Sequence, residues 1–252
     1  MLFENPLVVF AASLAGLWLS AQVGAYLRRR TGKEEPNERE DLGTVLAATL
    51  TLLGLIIGFT FSMANSRYDR RKDCEAAEAN AIGTEYVRVE LLAAADAAGI
   101  QALLRDYLQQ RISFYTSRGQ TRLDQVGTAT ARLQGVLWAA VRSPAADQRT
   151  PTAALVAAGM NDVLNTEAYT RAAWWNRIPV AAWTLMVAIA VFGNFLLGFT
   201  AQRLQGKMHL LLILPLIVSI AFLLIADIDS PRGGLIRVSP QNLESVGSSL
   251  GF

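Results

Sequence analysis

Cysteine and histidine are almost absent from this sequence, with one of each, Cys74 and His209, among 252 residues. A lone cysteine closes no intramolecular disulfide, so nothing staples the fold and the redox character of its compartment is not encoded. A lone histidine leaves one chain without a histidine metal cluster, a nucleophile–histidine triad or a histidine proton relay. Charge of one sign is missing as well. The chain carries 23 basic and 21 acidic residues, a formal net charge of +2, and no basic stretch is interleaved with aromatics, so nucleic acid is not an expected partner. No Walker or dinucleotide glycine loop, no Gly-x-Ser-x-Gly and no metalloprotease helix signature occurs, which disfavours an enzyme. No internal repeat is visible.

What the sequence does have is long runs without charge. Hydrophobic residues make up 52% and the mean hydropathy is +0.29, with the charges in blocks between apolar stretches, the pattern of an integral membrane protein. Four runs, Pro6 to Leu27, Leu42 to Ser66, Ile178 to Gln202 and Met208 to Ala226 with His209 neutral, are each long enough to cross roughly 30 Å of hydrocarbon. The residues leading into the first include Glu4 and no base, and Arg28, Arg29 and Arg30 follow it. That is the reverse of a secretory leader, so it reads as a retained anchor. The second run would be a rod of about 37 Å that enters Arg67-Tyr68-Asp69-Arg70-Arg71-Lys72 with no Gly or Pro to stop it. It reads as a spanning helix that continues into water.

From Ser66 to Arg177 the chain carries 14 basic and 12 acidic residues, scattered singly in a composition that favours helix. Apolar residues recur at helical spacing: Ile82, Tyr86, Val89 and Ala93, then Leu104, Tyr107, Leu108, Ile112 and Tyr115, then Val126, Leu133, Leu137 and Val141. Breaks are expected at Ala97-Ala98-Gly99, Ser117-Arg118-Gly119 and Ser143-Pro144. Thr150-Pro151 reads as an N-cap with proline in the first turn of a helix reaching Trp174. Trp174, Trp175 and Arg177 fit a water–lipid boundary. The expected fold is therefore all-α: a four-span integral membrane protein with a helical extramembrane bundle between spans 2 and 3. A hairpin over 1–66 (spans about 6–27 and 42–66) is followed by a bundle over 67–177 and a second hairpin over 178–226 (spans about 178–202 and 208–226). Residues 227–252 form an acidic turn and tail, in which Pro231, Gly233 and Gly234 end the helix before Asp227 and Asp229.

Several residues stand out on physical grounds. Gly54 and Gly58 allow close helix approach. Asn65, Arg67, Arg70, Arg71 and Lys72 sit where they could rehydrate or concentrate anions at a mouth, or anchor phospholipid headgroups. Asp227 and Asp229 could offer oxygen ligands to a hard cation, although two carboxylates are few, and capping a turn or pairing with Arg232 is the plainer role. Asn194 and Pro215, inside spans, read as packing features.

The segments Gly58-Phe59-Thr60-Phe61-Ser62, Asn65-Ser66-Arg67-Tyr68-Asp69-Arg70 and Glu78-Ala79-Asn80-Ala81-Ile82-Gly83-Thr84-Glu85-Tyr86 resemble the bacterial bestrophin-like family, as do Asp227-Ile228-Asp229-Ser230-Pro231 and Gly234-Leu235-Ile236-Arg237-Val238-Ser239. That family is distantly similar to bestrophins, pentameric ion channels that mostly conduct anions such as chloride in animals, some bacterial members passing cations. The resemblance implies a homo-oligomer, of five subunits as the family pattern has it, with membrane lipids, further copies of itself and inorganic ions as partners. Aligned through Tyr68-Asp69-Arg70 with a one-residue gap, the family's apolar neck falls on Leu53, Ile57 and Phe61. The plain alternative for these three is contact with lipid or neighbouring helices. The acidic turn that binds Ca²⁺ in animal bestrophins falls on Asp227 and Asp229, without the longer acidic run of that site; no other cofactor is implied. Charges flanking the spans nearly balance, so the resemblance sets the topology: a multi-pass protein of the bacterial inner membrane, bundle and termini cytoplasmic. A non-conducting, membrane-anchored interaction or signalling scaffold is the competing function, and a lipid-acting enzyme using Asp227 or Asp229 a third.

Overall fold

The computed structural model describes residues 5–30, 36–147, 150–201 and 208–251. Its helices are α1 (Pro6–Arg30), α2 (Pro36–Arg88), α3 (Ala94–Thr116), α4 (Gln120–Asp147), α5 (Pro151–Trp175), α6 (Val180–Thr200), α7 (Ile213–Asp229) and α8 (Gln241–Ser249), with 3₁₀ turns at Val89–Leu91 and Met208–Leu212. No strand occurs among the described residues. Four of the helical stretches are long and apolar enough to cross a membrane. The chain divides into two compact units, Met1–Tyr68 with Arg177–Arg237, and Asp69–Asn176 with Val238–Phe252.

The first unit contains the spans. Its core gathers Val9 and Leu17 of α1, Leu53 and Ala64 of α2, Trp183, Met186 and Ala190 of α6, and Val218, Phe222 and Ile225 of α7. Trp183 meets Phe222 edge to face at 6.0 Å. At the α1–α6 crossing a β-carbon on Gly24 would overlap the Phe195 carbonyl, and one on Gly198 the Ala21 carbonyl. Glycine at both positions lets the two backbones touch. Leu7, Phe192 and Ile217 lie on the outside, 70%, 67% and 59% exposed. Such side chains suit a surface solvated by lipid.

The second unit is the helical bundle. Helix α2 remains helical as far as Arg88 because Arg67 to Arg88 contain no proline, and the one glycine there, Gly83, lies against the Val246 side chain of α8. The expected break at Ala97-Ala98-Gly99 does not occur. That segment is inside α3, and the interruption comes earlier, at the Val89–Leu91 3₁₀ turn and Leu92–Ala93. Gly99 is tolerated there because Ala97 and Ile100 on either side are buried and packing sets the backbone. The break at Ser117–Gly119 is present, with Gly119 at φ +83°. The helix continues through Pro144, which falls in the last turn of α4. Thr150 caps α5 as expected, its hydroxyl accepting from Ala153 N–H at 3.2 Å.

The ends of the spans also differ from expectation. Helix α7 includes Asp227 and Asp229 in its final turn, and the chain leaves the helix only at Ser230. Carboxylates are disfavoured at that end of a helix unless they are otherwise engaged. The tail is ordered as α8. Gln202, the expected end of the third span, and the loop charges Lys33, Glu34 and Glu35 fall outside the described residues.

Candidate functional site

Helix α2 is the least covered of the spans. In its most apolar window 6% of residues are buried, against 22% in α1, 28% in the α5–α6 stretch and 50% in α7. The covered face is narrow and regular: Leu53, Thr60 and Ala64 are buried, Ile56 and Ile57 half-buried against the core, with Tyr68 joining below. Beside it, Gly193 of α6 faces the Leu50 and Thr49 side chains, 3.3 and 3.6 Å from where a β-carbon would sit. Thr60 turns its hydroxyl back to the Ile56 carbonyl at 2.8 Å.

This placement separates the three residues expected to form a neck. Leu53 is 2% exposed and belongs to the unit's own core, Ile57 is half-buried against that core, and Phe61 is 38% exposed. Residues four apart drift about 40° around an α-helix, so the trio begins on the packed face and ends outside it. The bare face lies about 180° from Leu53, and two residues along the helix is a turn of about 200°. Thr51, Leu55 and Phe59 therefore form the i, i+4, i+8 row pointing away from the core, followed by Ser62. All four are exposed, Leu55 by 53% and Phe59 by 63%.

The residues expected at a mouth are also sorted by packing. Within the first unit Asn65 is exposed and Arg67 half-buried. Within the second, Arg70 and Lys72 are exposed, as are Asp69 and Asp73. Arg71 is 1% exposed and its Nε donates to the Ala173 carbonyl at 3.5 Å. Packing takes Arg71 out of any role that needs it at the surface.

Asp227 and Asp229 serve the backbone. Asp227 accepts from Leu235 N–H at 2.7 Å and Ile236 N–H at 2.8 Å, one to each carboxylate oxygen. A β-carbon on Gly234 would press against the Asp227 carbonyl and carboxyl, which is why glycine occupies the turn. Both oxygens of Asp229 accept from Ile178 N–H at 3.2 Å, fixing the entry to α6. Two carboxylates already facing backbone donors fall well short of the six to eight or so oxygens that Ca²⁺ takes. Among the described residues no cluster of three or more His, Cys, Asp or Glu is placed to hold a metal.

The second unit has a buried charged core that sequence reasoning missed. Arg111 of α3 grips Glu78 of α2 with two hydrogen bonds, 2.9 and 3.1 Å, and lies 3.8 Å from Glu167 of α5. Its guanidinium also stacks 4.6 Å from the Phe114 ring centre. Burial works to lower the Arg111 pKa, but the Glu78 carboxylate beside it prevails and holds it above the ordinary value. Gln134 of α4 donates to both the Tyr107 hydroxyl and Glu167, at 3.3 and 3.4 Å. The network thus joins α2 to α5. Further along α2, Glu75 accepts from Asn242 N–H, the Asn242 amide and Leu243 N–H, capping the start of α8. Glu85, which no solvent reaches and which pairs with Arg88 at 3.1 Å, has its pKa pushed up to about 7, chiefly by burial. The signal was the spacing: Arg71, Glu75, Glu78, Ile82 and Glu85 recur on one face, and Arg111 interrupts the apolar stripe of Leu104, Tyr107, Leu108 and Tyr115.

The profile of the bestrophin-like domain matches residues 7–243. No curated protein matches the sequence. Among solved structures, a bacterial bestrophin homologue from Klebsiella pneumoniae superposes with a TM-score of 0.63 at 14% identity, covering 97% of this chain and 96% of that one. A point variant of the Klebsiella pneumoniae homologue gives a TM-score of 0.65 at 11% identity, with 97% and 96% covered. At these identities the likeness is one of fold.

Proposed function

This chain belongs to the bestrophin-like domain family, and we propose that it is the subunit of a homo-oligomeric ion channel whose passage is lined by the membrane part of α2. The observation that carries this reading is the bare face of α2: a span that covers 6% of its apolar window from within its own chain needs other copies or lipid. Among the described residues the first unit's interior is filled by apolar side chains such as Leu53, Trp183, Met186 and Phe222, which offer an ion no polar lining between these helices. A closed ring supplies a route by turning one identical face of each copy to a shared axis.

In such a ring, five-membered by the family pattern, Thr51, Leu55 and Phe59 succeed one another at helical turns. Leu55 and Phe59 make the apolar constriction, which conducts when wetted and blocks when dry. Thr51 and Ser62 offer hydroxyls on either side. Anions are the proposed permeant ions because the electropositive edge of Phe59 can face the axis. Asn65, Arg67 and Arg70 lie on the mouth side of the constriction. The chain sits in the bacterial inner membrane with the second unit and both termini cytoplasmic.

The test is reconstitution in liposomes under a potassium chloride gradient, with particle mass measured in nanodiscs. The expected results are a multimeric ring, a reversal potential near that of chloride, and greater flux after Phe59→Ala. A monomer in both detergent and lipid, or no flux from wild type and variant alike, would refute the channel and leave a membrane-anchored scaffold.

A further inference from the structure

Within the first unit, α1, α6 and α7 leave an apolar groove that the channel reading does not use. One part, about 190 Å³, is lined by Val9, Gly16, Trp183 and Phe222 among others. A second part, about 450 Å³, is lined by Val23, Phe192 and Phe195. The two share Gly16 and Val191, and so run together along the α1–α6 seam. From Val9 to Val23 the groove follows about 21 Å of helix. That exceeds one leaflet's half of roughly 30 Å of hydrocarbon.

The groove's chemistry selects its occupant. The hydroxyls that border it are already spent, Ser13 on the Phe10 carbonyl at 3.0 Å and Ser20 on the Val191 carbonyl at 2.8 Å. The lining thus presents hydrocarbon to a hydrocarbon chain. At the far end Phe195 stacks on Phe199 at 6.0 Å, and the Arg28 guanidinium lies 5.2 Å over the Phe199 ring. Arg28 itself is buried; of the two exposed arginines that follow, Arg30 falls about 30° from the groove-lining row of α1 and Arg29 about 130° from it, at about 100° per residue. A nonpolar trough that leads to an exposed arginine, Arg30, on its own side of the span is complementary to a lipid with a negative headgroup.

We propose that the α1–α6 groove is a binding site for an anionic phospholipid, one acyl chain lying between Val9 and Val23 and the phosphate resting on Arg30. Gly16 gives access: nothing lies within 4 Å of where its β-carbon would be, so a larger residue fills the groove and leaves the fold intact. The site is independent of conduction.

Native mass spectrometry of the full-length protein, delipidated and then titrated with phosphatidylglycerol or phosphatidylcholine, tests it. Wild type should take up phosphatidylglycerol saturably and at least fivefold more tightly than phosphatidylcholine. Gly16→Leu should lose at least fivefold in uptake of both lipids. Arg30→Gln should lose the preference for phosphatidylglycerol and keep phosphatidylcholine uptake, whereas Arg29→Gln should keep both. Unchanged uptake in Gly16→Leu, or a wild type without headgroup preference, overturns the proposal. So does a Gly16→Leu protein that keeps its lipid but falls apart into smaller assemblies, because the groove would then be a contact between subunits.

Discussion

Replacing Arg111 by methionine should be among the most damaging single changes in the second unit. Arg111 and Glu78 are each 1% exposed, and Arg111 donates twice to that carboxylate. Removing the cation strands a buried anion, and breaking such a pair costs about 3–5 kcal/mol. At a few degrees per kcal/mol for a chain of this size, the midpoint of thermal unfolding should fall by roughly 10 °C. The direction with pH follows from linkage. Burial already raises the Glu78 pKa in wild type, with the Arg111 charge and hydrogen bonds opposing it; without Arg111 it rises further, so the folded variant holds its proton to a higher pH than wild type while the unfolded chain gives it up at the ordinary value. Its deficit against wild type should be smallest below the ordinary carboxylate pKa and grow as pH rises through the raised value. Glu167 keeps Arg171 at 3.8 Å, so it is not stranded in the same way. The double variant Glu78→Met, Arg111→Met should then recover most of the loss, since an apolar pair of similar size carries no buried charge. Thermal unfolding in detergent across pH 4 to 8 is the assay. A loss under about 1 kcal/mol, or a double variant as weak as the single, would refute the reasoning.

Three further outcomes are expected. Glu75→Ala removes the acceptor at the start of α8, three charge-assisted contacts in all, and should make the segment from Val238 onward cleavable by a nonspecific protease while the rest of the second unit resists. Glu85 has a folded pKa of about 7 against an ordinary 4.5, so its contribution is fully present below about pH 4.5 and lost as pH rises through about 7. Glu85→Gln should flatten that part of the stability profile, and an unchanged slope would count against it. Cys74 is 4% exposed and unsuited to reporting topology, but Ala77 is exposed. In a Cys74→Ala background, Ala77→Cys should resist an impermeant thiol reagent in intact cells and react after permeabilisation if the second unit is cytoplasmic.

The spans and the unbroken second helix were legible because run length and the absence of Gly or Pro are properties of the sequence itself. The cap at Thr150 was legible for the same reason, since side-chain chemistry and proline act locally. The face of α2 was not. Leu53 and Leu55 are the same residue two positions apart in a stretch apolar all round, and only the core formed with α1, α6 and α7 decides which is inside. Charge misled the reading in the bundle. Glu75, Glu78 and Arg111 look like solvated residues one at a time, and their burial is apparent only once α2, α3 and α8 are brought together. Asp227 and Asp229 looked like a turn because Pro231 and Gly234 follow. Their hydrogen bonds to Leu235, Ile236 and Ile178 let the helix run to Asp229 instead.

In the proposed channel the exposed row on α2, and not the Leu53 face, borders the ion path. Liposome flux from Phe59→Cys and Leu53→Cys proteins, each in a Cys74→Ala background and treated with a charged methanethiosulfonate reagent, tests it most directly. The account predicts that the reagent alters flux through Phe59→Cys within the time of ion exchange and leaves Leu53→Cys unchanged. Modification of Leu53→Cys with no effect at Phe59→Cys would contradict it.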